Sequence, residues 1–140
     1  NKLISFQEEF SSVKDYLELE SIRYEERLQV KFDIDPQSAA FSVPPMMIQT
    51  LVENGIKHGI SKLKEGGKIS LITQAKNSAL HVIITNNGRL DEEKLKSTRG
   101  LGIENTKQRL KLLYGQQASF HIYNGENHMV VTELILPQNS

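Results

Sequence analysis

The stretch PPMMIQTLVENGIKHG, residues 44–59, places an acid, an amide, a base and an imidazole beside a row of aliphatic side chains. Its two prolines suit the first turn of a helix, which we expect to run from about Pro45 to about Gly59. At about 100° per residue, one arc of this helix is aliphatic and consists of Ile48, Leu51, Val52 and Ile56. The opposite arc is polar and consists of Gln49, Thr50, Glu53, Asn54, Lys57 and His58. The sequence therefore predicts a helix that packs one face on a core.

The polar arc of this helix has two explanations. Charged helix faces usually meet solvent, and a Glu53–Lys57 pair at i, i+4 would add only about 0.2–0.5 kcal/mol. The glycines need a further reason, because each costs about 1 kcal/mol relative to alanine inside a helix. Gly59 suits the C-terminal cap, and Gly55 suits close packing of the helix on a sheet.

Two other glycine groups favour a binding site. TNNGRL, residues 85–90, follows an apolar strand, and Gly88 there could let the backbone approach a ligand. RGLGIEN, residues 99–105, precedes a helix, so Gly100 and Gly102 could present backbone N–H groups at its N-terminus, where phosphate binds readily. Each group is a weak signal by itself.

The rest of the chain interleaves helices with strands. A capping box at Ser5 and Glu8 opens an amphipathic helix that we expect to reach Leu28. We predict a further helix at 102–115 and strands at 28–34, 68–75, 79–85, 119–123 and 128–136. The last two strands flank NGEN, a hairpin signal. This order implies a single domain, residues 1–140, built as a two-layer α/β (α+β) sandwich with a mixed sheet and helices on one face.

Composition narrows the function classes. The 140 residues carry a formal net charge of zero, so we expect no nucleic-acid partner. Without cysteine there is no disulfide framework, thiolate zinc site or cysteine nucleophile. The P-loop, dinucleotide and His-Glu-x-x-His patterns all fail, as does the calcium-loop pattern. The first residue is Asn1, and we expect a piece of a longer protein.

Three blocks in fixed order carry a family resemblance: PPMMIQTLVENGIKHG, ITNNG and RGLGIENTKQRLKLLYG. Together they resemble the ATP-binding domain of sensor histidine kinases, in the gyrase/Hsp90/histidine-kinase/MutL superfamily. The chain is most similar to the LytS-type subgroup in its VPP, VEN-x-IKHG (the N-box) and RL-x-LLYG wording. The resemblance covers nearly the whole chain. It implies a Bergerat-like fold, with ATP and Mg²⁺ between the N-box helix and a glycine-containing lid.

The resemblance also implies residue roles. Glu53 would be the catalytic general base, or would orient the attacking group, and Asn54 would bind Mg²⁺ through its carbonyl oxygen. The remaining ATP contacts would be Lys57 and His58 at the phosphates, Asn86 and Gly88 at the adenine, and Gly100, Leu101 and Gly102 in the phosphate loop. Asn105 and Arg109, on the following helix, are weaker candidates.

The chain departs from the family pattern in three places. Asn86 replaces the usual aspartate, and an amide accepts a hydrogen bond more weakly than a carboxylate. The lid, which begins near Arg89, is short. The glycine-threonine of the last strand is not evident in HMVVTEL, so Thr132 receives no role.

The resemblance extends to partners. It implies a phosphoacceptor histidine in a dimerising region of the same protein, outside residues 1–140, with a response regulator as the next acceptor. It also implies a homodimeric full-length bacterial sensor, anchored in the inner membrane, with this domain in the cytoplasm. A degenerate nucleotide-binding or protein-interaction module remains the main alternative. An ATPase relative that drives conformational work is a third reading.

Overall fold

The computed structural model describes residues 3–90 and 102–138. In these ranges the helices are α1 (Phe6–Tyr24), α2 (Met47–His58) and α3 (Ile103–Tyr114). The strands are β1 (Ile4–Ser5), β2 (Leu28–Ile34), β3 (Ser42–Val43), β4 (Gly67–Lys76), β5 (Ala79–Asn87), β6 (Ser119–Asn124) and β7 (Met129–Pro137). Short 3-10 helices lie at Glu25–Arg27, Pro36–Ala40 and Ile60–Lys62.

Five of the strands form one mixed sheet in the order β2-β4-β5-β7-β6. β2 runs parallel to β4, whereas the other neighbours are antiparallel. A parallel pair needs a crossover connection, and α2 lies within the connection from β2 to β4. This connection therefore carries α2, the predicted binding helix, across one face of the sheet.

The central strands β5 and β7 of this sheet are buried on one face. Along β5 and β7, buried residues alternate with partly exposed ones, as expected for a sheet that is covered on one side. The helices supply the cover through residues such as Val13 and Leu17 of α1 and Ile48 and Val52 of α2, all nearly inaccessible. The predicted two-layer sandwich with a mixed sheet is confirmed.

Some boundaries differ from the sequence predictions. α1 ends at Tyr24, four residues before the predicted end, because Glu25 has a positive φ of 56° that no regular helix contains. β1 and β3 form an additional two-stranded sheet that no sequence pattern predicted. In the described residues, no helix combines the length and the apolar character needed to cross a membrane.

Candidate functional site

The N-terminus of α2 is capped by a residue from another helix. Met46 occupies the cap position with a left-handed φ of 67° and makes no side-chain capping bond. Glu9 of α1 replaces it: its Oε1 accepts from the Met46 amide at 2.8 Å, and its Oε2 accepts from the Gln49 amide at 3.0 Å. On the other side, Arg109 Nη2 donates to the Pro45 carbonyl at 3.1 Å. The start of α2 is thus tied to both α1 and α3.

The polar arc of α2 begins with a side-chain contact. Gln49 Nε2 donates to Glu53 Oε2 at 3.0 Å, one turn further along the helix. Burial, then the carboxylates of Glu20 and Glu53, raise the pKa of the Tyr16 phenol above its ordinary value. Glu53 therefore has an amide donor on its own helix and a neutral phenol from α1 nearby.

The C-terminal half of α2 packs on β5 through its glycines. A Cβ at Gly55 would lie 2.9 Å from Asn86 Oδ1, and one at Gly59 would lie 2.3 Å from Asn86 Nδ2. Asn86 is only 4% exposed, and its Nδ2 donates to the Asn87 carbonyl at 2.9 Å. Both sequence interpretations hold: Gly59 is the C-cap of α2, and Gly55 lets the helix approach the sheet.

Gly88 follows Asn86 and has a φ of 140°, which strongly favours glycine. Its amide donates to the His128 carbonyl at 2.9 Å, and a Cβ there would lie 3.0 Å from the Gly59 Cα. The close approach that Gly88 permits in the structure is thus between two segments of backbone.

A cavity opens between α2, the sheet and the start of α3. The space not filled by protein atoms amounts to about 420 Å³, open solvent included, but the centre of a water molecule fits in only about 30 Å³ of it, so the cavity is narrow. It is lined by Leu51, Asn54, Gly55, His58, Gly59, Asn86, Arg89, Leu90, Ile103, Ile122, Val130 and Thr132. An apolar floor with few polar groups suits a planar heterocycle that carries hydrogen-bonding edges.

The start of α3 approaches the same cavity. Gly102 occupies the N-cap position of α3 with a φ of 65°, and a Cβ on it would lie 3.6 Å from Asn54 Nδ2. The first N–H groups of α3, which have no acceptor within the helix itself, therefore start close to Asn54. An anion bound there would meet the positive end of the α3 dipole.

The structure brings together part of the predicted set. Asn54, His58 and Asn86 line the cavity, and Gly102 lies beside Asn54. The residues Glu53, Lys57, Gly88 and Asn105 are not in its lining, and of these Lys57 and Asn105 are exposed. Gly100 and Leu101 lie outside the described residues, as does the rest of the predicted lid.

Thr132 lines the cavity although no sequence motif assigned it a role. It is 4% exposed and lies on the buried face of β7, opposite Ile84 of β5. The alternation of β7 could have indicated its direction, since it shares the parity of Leu134 and Leu136.

Comparison with solved structures identifies the fold. No family model matches the chain. Its fold is similar to the nucleotide-free catalytic domain of histidine kinase ThkA, with a TM-score of 0.77, 17% identity and coverage of 99% of this chain and 98% of that one. A complex of ThkA with response regulator protein TrrA gives a TM-score of 0.68 at 17% identity, over 99% of this chain and 42% of that chain. The fold is that of a histidine kinase catalytic domain.

Sequence relatives identify the class of protein. The chain is 38% identical over 134 residues to the sensor protein LytS of Enterococcus faecalis, which covers 88% of this chain and 23% of that protein. It is 36% identical over 129 residues to the sensor histidine kinase/phosphatase LytS of Staphylococcus aureus, over 83% of this chain and 22% of that protein. A putative uncharacterized protein, YwpD of Bacillus subtilis, is 39% identical over 122 residues, at 81% and 43% coverage.

The chain belongs to the family of LytS-type sensor histidine kinases, which confirms the resemblance. It spans less than a quarter of the length of the LytS relatives.

Proposed function

We propose that this chain is the ATP-binding catalytic domain of a two-component sensor histidine kinase. It transfers the γ-phosphoryl group of Mg-ATP to a histidine outside residues 1–140, from which a response regulator is then phosphorylated. The observation that carries the proposal is the cavity in which Asn54, His58 and Asn86 converge beside the N-terminus of α3. The LytS relatives and the ThkA fold support it.

The chemistry of the lining residues suits a purine nucleotide. Gly55 and Gly59 of α2, together with the apolar lining residues, suit the flat base. The Asn86 amide lines the same cavity. The polyphosphate would extend from there toward Asn54 and the first N–H groups of α3. Bound Mg-ATP would supply the transferable phosphoryl group, and its Mg²⁺ would offset the negative charge of the phosphates.

The metal would depend on one amide from the protein. The described residues contain no group of three or more histidine, cysteine, aspartate or glutamate side chains that could hold a metal ion. Mg²⁺ usually keeps several waters and shares phosphate oxygens, so a single Asn54 carbonyl oxygen suits this ion. Glu53, one residue earlier, would accept the proton of the attacking histidine or orient it.

The proposed partners follow from the relatives. LytS of Enterococcus faecalis is named a sensor protein, and ThkA has been solved with a response regulator. We propose that the parent protein is a homodimer that docks its own phosphoacceptor region on this domain, and that it is anchored in a membrane with this domain in the cytoplasm.

One observation favours the alternative of a degenerate module. Asn86 already donates its amide to the Asn87 carbonyl, and it lacks the charge of the family's aspartate. A domain that signals by protein contact, with weak or no nucleotide binding, would tolerate asparagine in place of that aspartate. Calorimetric titration with Mg-ATP separates the two functions, since the module would bind weakly or not at all.

Asn54→Ala tests the assigned site. It removes the amide beside Gly102 and should abolish the Mg²⁺ dependence of ATP binding while leaving the melting temperature near that of the native protein. Gln116→Ala, which removes an exposed amide in the turn after α3 and outside the cavity lining, is the control. In the full-length protein, labelled ATP should give an acid-labile phosphohistidine outside residues 1–140. Tight Mg-ATP binding by Asn54→Ala would reject the metal role.

A further inference from the structure

We propose that Glu9 of α1 is a positioning residue for the ATP site, an inference that rests on the proposed function. Glu9 holds the first turn of α2 in register, and through Gln49 it fixes the orientation of the Glu53 carboxylate. Glu9 itself does not line the cavity, so its effect on chemistry passes through α2.

The first step is the fit of one carboxylate to two orphan amides. The first turn of a helix leaves N–H groups without partners, and a side chain at the cap position normally accepts one of them. Met46 offers no acceptor there. Glu9 takes both the Met46 and the Gln49 amides, one on each carboxylate oxygen, at 2.8 and 3.0 Å. These are charge-assisted bonds, which are stronger than neutral ones.

The second step concerns the charge of Glu9. This side chain is only 1% exposed, and buried carboxylates are costly unless they are compensated. The ion pair found among the described residues joins Arg23 to Glu20, not to Glu9. The compensation comes from the two amides and from the positive end of the α2 dipole. Glu9 therefore stabilises α2 in one axial position and one rotation.

The third step connects this cap to the polar arc. The backbone amide of Gln49 donates to the capping Glu9 carboxylate, and its side-chain Nε2 donates to Glu53 Oε2 at 3.0 Å. Its Oε1 is buried and makes no hydrogen bond within the described residues, so the contact with Glu53 is the bond that orients the Gln49 amide. A shift of the first turn would move Gln49 and release Glu53.

The sequence carries a signal for this role. Glu9 lies three residues after Phe6 and four before Val13, on the stripe of α1 that the structure buries. An acid on an apolar stripe has to find donors, because burial without them is costly.

The test compares Glu9→Gln with Glu18→Gln in the full-length protein. Both changes remove one charge from α1, but Glu18 is exposed. In Glu9→Gln, hydrogen exchange of peptides that cover residues 46–50 should quicken by about tenfold or more, the factor carried by a charged hydrogen bond. Phosphoryl transfer at saturating ATP should slow by about 10- to 100-fold, as expected when a catalytic group is misplaced by about 1 Å. Glu18→Gln should change neither quantity.

A second variant, Gln49→Ala, keeps the cap and removes only the contact with Glu53. It should slow transfer at saturating ATP without quickening exchange at residues 46–50, and the double variant should be no slower than Glu9→Gln alone. Normal transfer by Gln49→Ala, or by a Glu9→Gln protein with fast exchange, overturns the inference and leaves ATP binding and kinase function intact. Failure of the native protein to bind ATP would instead reject the proposed function, whereas the exchange comparison would still decide whether Glu9 caps α2.

Discussion

The two halves of α2 are held in place by opposite means. The N-terminal half is held by hydrogen bonds from other helices, from Glu9 of α1 and Arg109 of α3. The C-terminal half is held by close packing on the sheet, which the glycines permit. A methyl group at Gly55 or Gly59 would collide with the Asn86 amide. Substitutions can weaken the hydrogen bonds of the N-terminal half step by step. The glycine contacts of the C-terminal half leave no room for even one additional carbon atom.

The halves also divide the proposed work. Glu53 and its partner Gln49 belong to the end that would act on the phosphates, while Gly55, Gly59 and Asn86 line the cavity that we propose for the base. Damage to the first half should therefore appear in the rate of transfer. Damage to the second half should appear in stability and in affinity for ATP.

The largest effect is expected from Glu53→Gln. This isosteric change keeps an acceptor for Gln49 but removes the base, so phosphoryl transfer in the full-length protein should slow by roughly 10²–10⁴. The dissociation constant for Mg-ATP should change little. Rates come from single-turnover labelling, affinities come from calorimetry, and Glu18→Gln is the matched control. Loss of binding together with rate would place Glu53 in the binding half and break the division.

Gly59→Ala should cause the next largest effect. The new Cβ would lie 2.6 Å from the Gly55 carbonyl oxygen and 3.0 Å from the Asn87 carbonyl oxygen, so the backbone has to move. We expect a loss of about 1–3 kcal/mol in the free energy of unfolding, the usual cost of overpacking, and weaker ATP binding.

Gly55→Ala is the graded comparison for Gly59→Ala. Its nearest collision, at 2.9 Å, is with the tip of the Asn86 side chain, which can move more cheaply than backbone. Urea denaturation of both variants should rank Gly59→Ala as the less stable one. Equal stability would show that the close contact of α2 with β5 does not limit the stability of the fold.

A loss of stability in the same range as that of Gly59→Ala is expected from Asn86→Asp. A carboxylate cannot donate to the Asn87 carbonyl, and the two oxygens would face each other at the 2.9 Å now spanned by a hydrogen bond. The loss in unfolding free energy should be about 1–3 kcal/mol, the cost of an unsatisfied buried group. Any gain in ATP affinity from the charge should be several-fold at most.

The control for Asn86→Asp is Asn77→Asp, in an exposed turn. Thermal melting without ligand, followed by calorimetric titration with ATP, separates the loss of stability from the change in affinity. An Asn86→Asp variant as stable as the native protein would mean that the Asn86 amide is not needed as a donor.

The smallest effect, and the one that should stabilise, is Met46→Gly. A left-handed conformation costs a residue with a Cβ about 1–2 kcal/mol, and Met46 is 48% exposed, so little packing is lost. After the entropy that glycine regains in the unfolded chain, a net gain of about 0.5–1 kcal/mol should remain. Met46→Ala keeps the Cβ and should show no gain. Chemical denaturation measures both, and a destabilised Met46→Gly would show that the methionine side chain matters more than its backbone strain.

Local patterns predicted most of this fold. β2 was predicted at its observed bounds, because Leu28, Val30 and Ile34 alternate with polar residues. The aliphatic arc of α2 is buried as predicted, since a helical period needs no knowledge of the partner surface. β1 and β3 were missed because two residues are too few to show any period.

The site was only partly accessible from the sequence. Asn54, His58 and Asn86 were predicted together and do line one cavity. Glu9 was not singled out, because its donors lie 37 and 40 residues away along the chain. A contact of that kind depends on how two helices pack, and no short-range pattern records it.

The parallel pairing of β2 with β4 sets the order in which this protein can assemble its site. α2 lies inside the loop that joins the two strands, so the register from Leu28↔Gly67 to Ile34↔Thr73 cannot form without carrying α2 across the sheet. Asp35 secures that register by accepting from the Ala75 amide at 2.9 Å. Non-local strand pairing is slow, because loop closure precedes the contacts that reward it. The binding competence of a newly made chain should therefore appear only after β4, which follows α2 in the chain, has been synthesised and has paired with β2.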